Sequence, residues 1–256
     1  MIYNRVSVSL PRRSDIKKDK EDADANRSNK TSSKILFIGD PHGDFKEIVE
    51  AVKQQKPEAI ILLGDCDLLV PLEVYLQEIH ELTEIYWIPG NHDYDLPEWH
   101  KNLFNSAYAA NNLDGRVVEI AGLRIAGLGG IFKGKIWNPK TGIRWKSRKA
   151  FLSRQPSNIR KSGLRRHHEC AIWPEDYERL AGQQADILVC HEAPSSHPHG
   201  FEEIDALATK MGVRQIYHGH HHSHYNAVIN GGIEVCGAPI HGAVDLKGTV
   251  ITRRKK

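Results

Sequence analysis

Residues 11–33 (PRRSDIKKDKEDADANRSNKTSS) are almost wholly polar and mixed in charge. They offer too little apolar surface to offset the entropy of ordering, so the pattern predicts a disordered tail. The alternating stretch before them, Tyr3–Leu10, suits a short strand. From Lys34 the texture changes. Three short apolar runs, Lys34–Gly39, Ala59–Gly64 and Glu84–Pro89, are predicted to be strands buried on both faces. Between them the spacing predicts helices over Asp44–Gln55 and Pro71–Leu82. Beyond Leu113, Arg116–Ile120 and Leu123–Leu128 flank Ala121-Gly122 as a hairpin. Trp173–Leu180 then reads as a helix, Asp186–Cys190 as a strand, Phe201–Lys210 as an amphipathic helix and Val213–Tyr217 as a strand. Tyr225–Ile229 and Ile233–Cys236 pair around Gly231-Gly232, and Thr249–Thr252 closes the set. The first half reads as parallel βαβ units and the second as more antiparallel: an α/β chain of two packed sheets with helices outside.

Length and composition add boundaries. The 256 residues suit a tail over 1–33 and one domain over 34–256. No apolar run reaches the ~20 residues of a membrane span, and no export signal opens the chain. A cytoplasmic location with reduced thiols at Cys66, Cys170, Cys190 and Cys236 is therefore expected. The formal charge of +3 conceals two opposed regions. Lys133–His168 holds twelve basic residues and no acidic one, so removing its +12 leaves −9 for the rest. This segment reads as a basic insertion at about 133–170. It is either a solvated loop or, since Trp137 and Trp145 lie among the cations, a cap facing phosphates or nucleic acid.

The chemistry gathers where the strands end. Asp40-Pro41-His42-Gly43 follows the first strand, Gly64-Asp65 the second and Gly90-Asn91-His92-Asp93 the third. His191 follows Asp186–Cys190, and Gly219-His220-His221-His222 follows Val213–Tyr217. Ligands collect at the carboxyl ends of strands in such folds. Asp40 and His42, like His220 and His222, are two residues apart and can point the same way in extended chain, with His221 turned aside. Singly these are ordinary turn-capping residues and packed histidines. Together they offer carboxylate, carboxamide and imidazole, which suit Mn²⁺, Fe²⁺ or Zn²⁺.

The order D-x-H, G-D, G-N-H-D, H, G-H-x-H, running from Asp40 to His222, resembles the calcineurin-like metallophosphoesterase superfamily. The resemblance implies a four-layer αββα sandwich of two mixed β-sheets flanked by helices, and a centre of two divalent metal ions. One ion would take Asp40, His42 and His222; the other would take Asn91, His191 and His220, with Asp65 bridging both. It implies phosphomonoester or phosphodiester hydrolysis by a hydroxide between the metals. His92 would be the general acid, oriented by Asp93 or Asp67. His218 reads as a packed histidine, Cys66 as packing, and Glu192 as a supporting neighbour of His191. His197 and His199, in the loop after His191, and Lys133, Lys135 and Arg144, in the insertion, are candidate substrate contacts. No arginine follows in Gly64-Asp65-Cys66-Asp67-Leu68-Leu69-Val70, and the third motif ends in Asp93, which departs from the G-D-x-x-D-R-G and G-N-H-E of the protein phosphatases. The substrate is thus expected to be a phosphorylated small molecule or a polyanion. The alternatives are a nuclease or phosphodiesterase working through the basic insertion, and a catalytically weak polyanion-binding protein.

Overall fold

The computed structural model describes residues 35–253; the tail and the Tyr3–Leu10 strand lie outside the described residues. The chain builds β1 (Ile35–Gly39), α1 (Lys46–Gln55), β2 (Ala59–Leu62), α2 (Leu72–Tyr75), β3 (Glu84–Trp87) and α3 (Pro97–Phe104). β4 (Val117–Ile120) and β5 (Leu123–Leu128) follow as a hairpin, with Ala121 and Gly122 both at positive φ in its turn. Next come a small hairpin, β6 (Trp137–Asn138) and β7 (Gly142–Ile143), and three short helices, α4 (Arg148–Ser153), α5 (Ser157–Ser162) and α6 (Arg166–Glu169). The rest is α7 (Pro174–Ala181), β8 (Ile187–Cys190), α8 (Glu202–Met211), β9 (Gln215–His218), β10 (Tyr225–Ile229), β11 (Ile233–Gly237), β12 (Gly242–Val244) and β13 (Val250–Thr252).

Two mixed sheets result, in the orders β13-β12-β1-β2-β3 and β10-β11-β9-β8-β5-β4. Alternation along each strand sorts their apolar residues into three layers of contact. Ile35, Phe37, Ala59, Ile61 and Leu63 face the second sheet's Ile125, Ile187, Val189 and Tyr217, with the Phe37 and Tyr217 rings stacked at 3.6 Å. Leu36, Ile38, Ile60 and Leu62 face the other way, onto Ile48, Val49 and Val52 of α1, Leu72 of α2 and Leu103 of α3. Leu188, Cys190 and Ile216 do the same against α7 and α8 through Tyr177, Leu180, Ile204, Leu207 and Met211. The protein is a four-layer αββα sandwich. Among the described residues no helix is long and apolar enough to cross a membrane, and all four cysteines are buried and free.

Several elements differ from the sequence reading. The second sheet is parallel through β5, β8, β9 and β11 and antiparallel only at its edges β4 and β10. The hairpins were legible, but the partners of β9 lie far away in sequence. The helix expected over Pro71–Leu82 keeps its regular hydrogen bonding only to Tyr75. Leu76 and Ile79 still bury the same face through turns such as Ile79 N–H to Leu76 O, 3.0 Å. β9 begins two residues late because Gly212 at φ +69° ends α8 and Val213 N–H bonds back to Ala208 O at 2.9 Å. Sequence reading missed α3, although Pro97 at its first turn and Glu98 after it are start signals.

The basic insertion folds on its own small core of Ile136, Phe151, Ala171 and Trp173, with Trp145 packed on it. Trp137 is 7 % exposed, wedged among Phe132, Tyr177 and the second sheet's outer layer. Trp137 is therefore spent on packing and is not free to stack on a ligand, which corrects that expectation for this ring; the Trp145 ring is only partly buried.

Candidate metal centre

The carboxyl ends of β1, β2, β3, β8 and β9 lie along one rim of the sandwich, and each delivers its polar residues there. Turning the chain this sharply strains it. Among the described residues nine non-glycine residues have positive φ, and seven belong to this rim: Asp40, His42, Asp65, Asp67, His220, His222 and His241. Such conformations cost about 1–3 kcal/mol each and persist where packing over-determines them. Gly90 admits no side chain, because a Cβ there would collide with the Asp65 carboxylate.

Two groups of donor atoms converge. In the first, His42 Nε2 and His222 Nε2 face each other at 3.1 Å, and His222 Nε2 lies 3.4 Å from Asp40 Oδ2. The Asp40 carboxylate is fully buried, and neither oxygen has a hydrogen-bond partner among the described residues. Burial pushes its pKa up to about 7, against the pull of His191. His42 Nδ1 is held by Asp67 Oδ2 at 2.6 Å, which raises the His42 pKa and leaves Nε2 as the inward atom.

In the second group, His191 donates from Nδ1 to Leu63 O at 2.7 Å. Its Nε2 therefore faces Asp65 Oδ2 at 3.2 Å and Asn91 Oδ1 at 3.3 Å. Ligand atoms of Asp65, His191 and His220 all lie within 4.8 Å of one another. Burial opposes charge on His191, yet Asp65 and Asp40 overcome it and lift its pKa to about 10. Burial likewise works against charge on Asp65, but His191 holds its carboxyl well below the usual range. Burial and the neighbouring His191 push His220 down to about 4. His220 Nε2 meets the buried Glu192 Oε1 at 3.4 Å, an outer carboxylate of the kind that orients a metal-ligating imidazole. Unpartnered carboxylate oxygens facing inward-pointing imidazole nitrogens are a poor arrangement for a protein alone and a good one for cations. Asp65, His191 and His220 could together hold a divalent ion, with Asn91 beside them, and Asp40, His42 and His222 present a second set of donors.

The neighbouring aspartates are placed differently from expectation. Asp93 does not reach the His92 ring. It is 1 % exposed, and its carboxylate accepts from Asp65 N at 3.0 Å, Cys66 N at 2.8 Å and Gly90 N at 2.7 Å, clamping two site loops together. Asp67 is taken up by His42. The carboxylate on His92 is Asp95, missed in the sequence, with Oδ2 2.9 Å from His92 Nδ1. The half-exposed His92 ring lies 5.5 Å from that of His42, and its backbone N–H bonds Asp65 Oδ1 at 2.8 Å. His241, also missed, carries its ring 6.2 Å from that of His42 and its N–H 3.3 Å from Asp40 O; no spacing in the sequence links it to the other motifs.

His218 is buried between Gly219 O and the Tyr225 hydroxyl and is pushed down to about 3 by burial, a packed neutral histidine. His197 stacks on His221 at 4.0 Å and His199 lies 6.0 Å from the same ring, so this loop borders the His220 side of the rim. Burial and the surrounding carboxylates hold the Cys66 thiol well above its usual value, as a packed, protonated group. Lys133 and Lys135 gather near His167 and His168. Arg144 bonds Ile136 O through its backbone on the small hairpin, and among the described residues no contact joins it to the site.

Comparison with known proteins bears on this rim. Residues 33–224 match the family model described as calcineurin-like phosphoesterase. An uncharacterized protein of Haemophilus influenzae is 42 % identical over 192 residues, covering 75 % of this chain and 84 % of its own. Among solved structures, TT1561 of Thermus thermophilus superposes with a TM-score of 0.56 at 16 % identity, covering 86 % of this chain and 97 % of its own. A dimetal phosphatase from Danio rerio gives 0.56 at 12 % identity, covering 84 % and 93 %. At these identities the structural likeness speaks for the fold.

Proposed function

The chain belongs to the calcineurin-like phosphoesterase family of metal-dependent phosphoester hydrolases, and on that premise we propose that it cleaves phosphomonoesters or phosphodiesters at a dinuclear centre. Asp40, His42 and His222 would hold one ion, Asn91, His191 and His220 the other, and Asp65 would serve both. The observation that carries the reading is the convergence of the Asp65, His191 and His220 ligand atoms beside the facing Nε2 atoms of His42 and His222. Mixed nitrogen and oxygen donors suit Mn²⁺, Fe²⁺ or Zn²⁺. Two such ions would lower the pKa of water they share and offset charge on the phosphoryl oxygens.

The protein's own groups do the rest. Asp67 and Leu63 O fix the imidazoles of His42 and His191, so that their Nε2 atoms point inward before any ion arrives, and the Glu192 carboxylate lies 3.4 Å from His220 Nε2. Asp93 holds the Asp65 loop against the Gly90 loop, which sets the bridging carboxylate. Asp95 accepts from His92 Nδ1 and orients the ring, leaving Nε2 to give a proton to the departing ester oxygen. The test is turnover of p-nitrophenyl phosphate and bis(p-nitrophenyl) phosphate with Mn²⁺, alongside elemental analysis and a chelator control. About two metal ions per chain and chelator-sensitive turnover are expected, and the preferred ester separates phosphatase from diesterase. Turnover indifferent to chelator would refute the centre. Metal uptake without turnover of either ester would instead leave a polyanion-binding scaffold.

A further inference from the structure

The twelve basic residues of Lys133–His168 do not form one surface. Arg148 turns inward to Glu175 at 3.1 Å and to Asp176, with its guanidinium 5.2 Å from the Trp173 ring centre, and anchors the segment on α7. Among the described residues it is the one basic side chain of the twelve that pairs with a carboxylate. Lys133, Lys135 and Arg165 gather instead around His167 and His168, whose rings lie 3.9 Å apart. Burial and these cations push His168 down to about 4.

This cationic group is tied to the catalytic rim through backbone. Gly130 N–H donates to Pro89 O at 2.8 Å, immediately before Gly90-Asn91-His92. The two ends of the insertion close on each other through Ile131 N to Cys170 O and Ile172 N to Ile131 O, both 2.9 Å. A Cβ at Gly130 would strike Cys170 O, so the closure has no slack. α6, which follows Arg165 and carries His167 and His168, packs against the His92–Tyr94 turn. The Cys170 thiol feels both the Lys133 ammonium and the Asp95 carboxylate, so Lys133 and the partner of His92 act on the same buried group. The nearby carboxylates are otherwise engaged: Asp95 with His92, and Glu169 with His100 at 4.0 Å.

We propose that Lys133, Lys135 and Arg165 form a second anion subsite next to His92, which receives a phosphate other than the one being cleaved. The substrate then carries at least two phosphate groups, so this inference rests on the phosphoesterase reading above and narrows it. With Trp137 buried and Trp145 packed edge-on against Phe151, what the insertion recognises is the phosphate. A small bisphosphate and a polynucleotide backbone both supply that chemistry.

The experiment uses the full metal-loaded chain and compares kcat/KM within two pairs. Propane-1,3-diol bisphosphate is set against propyl phosphate, and an oligothymidylate against the dinucleotide thymidylyl-3′,5′-thymidine, which has the same leaving group and a single phosphate. A charge-assisted contact to the second phosphate predicts about a tenfold or greater preference for the multiply phosphorylated member of one pair. That pair identifies the source. In Lys135→Ala/Arg165→Ala, both exposed positions, the ratio within that pair should collapse towards one while the melting temperature stays put. Turnover of the singly phosphorylated probes with no preference in either pair, or a preference that survives in the variant, overturns the second subsite and leaves the metal centre standing. Absence of hydrolysis in all four arms counts against the phosphoesterase reading and takes this inference with it.

Discussion

Replacing Asp93 by alanine separates two roles for a carboxylate that stands next to His92 in sequence. In the structure it accepts three backbone N–H groups, at 2.7, 2.8 and 3.0 Å, from the two loops that carry Asp65 and Asn91. Orphaning three buried donors costs about 1–3 kcal/mol each, roughly 6 kcal/mol together. Burial and the Asp65 charge push the Asp93 carboxyl up to about 6, so removing it returns part of that cost. The net loss should fall below the gross figure, at a few kcal/mol. Urea denaturation of the chelator-treated protein measures it, with the fully buried Trp87 and Trp173 as fluorescent reporters. Asp93→Asn should be intermediate, since an amide offers one acceptor oxygen where the carboxylate uses two. Stability within about 0.5 kcal/mol of wild type, together with turnover down a hundredfold or more, would refute the clamp and return Asp93 to a role on His92.

Three further outcomes follow from the same geometry. His92→Ala should lower kcat about a hundredfold or more for an alkyl phosphate and far less for p-nitrophenyl phosphate, whose leaving group needs no proton; equal losses on both would deny His92 the acid role, and Asp95→Asn should show the same pattern more weakly. Chelation should lower the melting temperature by several degrees, because ions at about 100 times their Kd contribute roughly 2.7 kcal/mol and their removal leaves the Asp40 oxygens buried and unpartnered; a scan unmoved by chelator contradicts the donor assignment. His168, near 4 when folded against 6.5 when free, stays neutral in the native state while the unfolded chain takes up a proton. Stability should then fall as pH drops from about 6.5 towards 4, by about 1 kcal/mol or less after solvent screening of a partly exposed ring. Denaturant melts at pH 7 and 5 should show His168→Gln flattening that difference, and an unchanged difference would refute it.

The strands that carry the site are the part most plainly written in the chain. Ile35–Gly39, Ala59–Leu62 and Ile187–Cys190 are apolar on both faces and stop at Asp40, Leu63-Gly64-Asp65 and His191, so burial and its abrupt end are local properties of composition. The order of the His, Asp and Asn residues after those ends carries the family resemblance. Tertiary contact decided what local pattern could not. His42 takes Asp67 from 25 residues away, and Asp93 takes backbone donors 27 and 28 residues away, leaving His92 to Asp95. Three aspartates, Asp67, Asp93 and Asp95, thus received three different tasks. Trp137 looked like a ligand platform among cations until the second sheet's outer layer covered it, and Arg148 looked like its eleven basic neighbours until Glu175 and Asp176 met it. Periodicity reports how much surface a segment must bury and where the backbone must turn. Which atom a buried polar group meets depends on chain brought back from far along the sequence, and only the packed sandwich determines that.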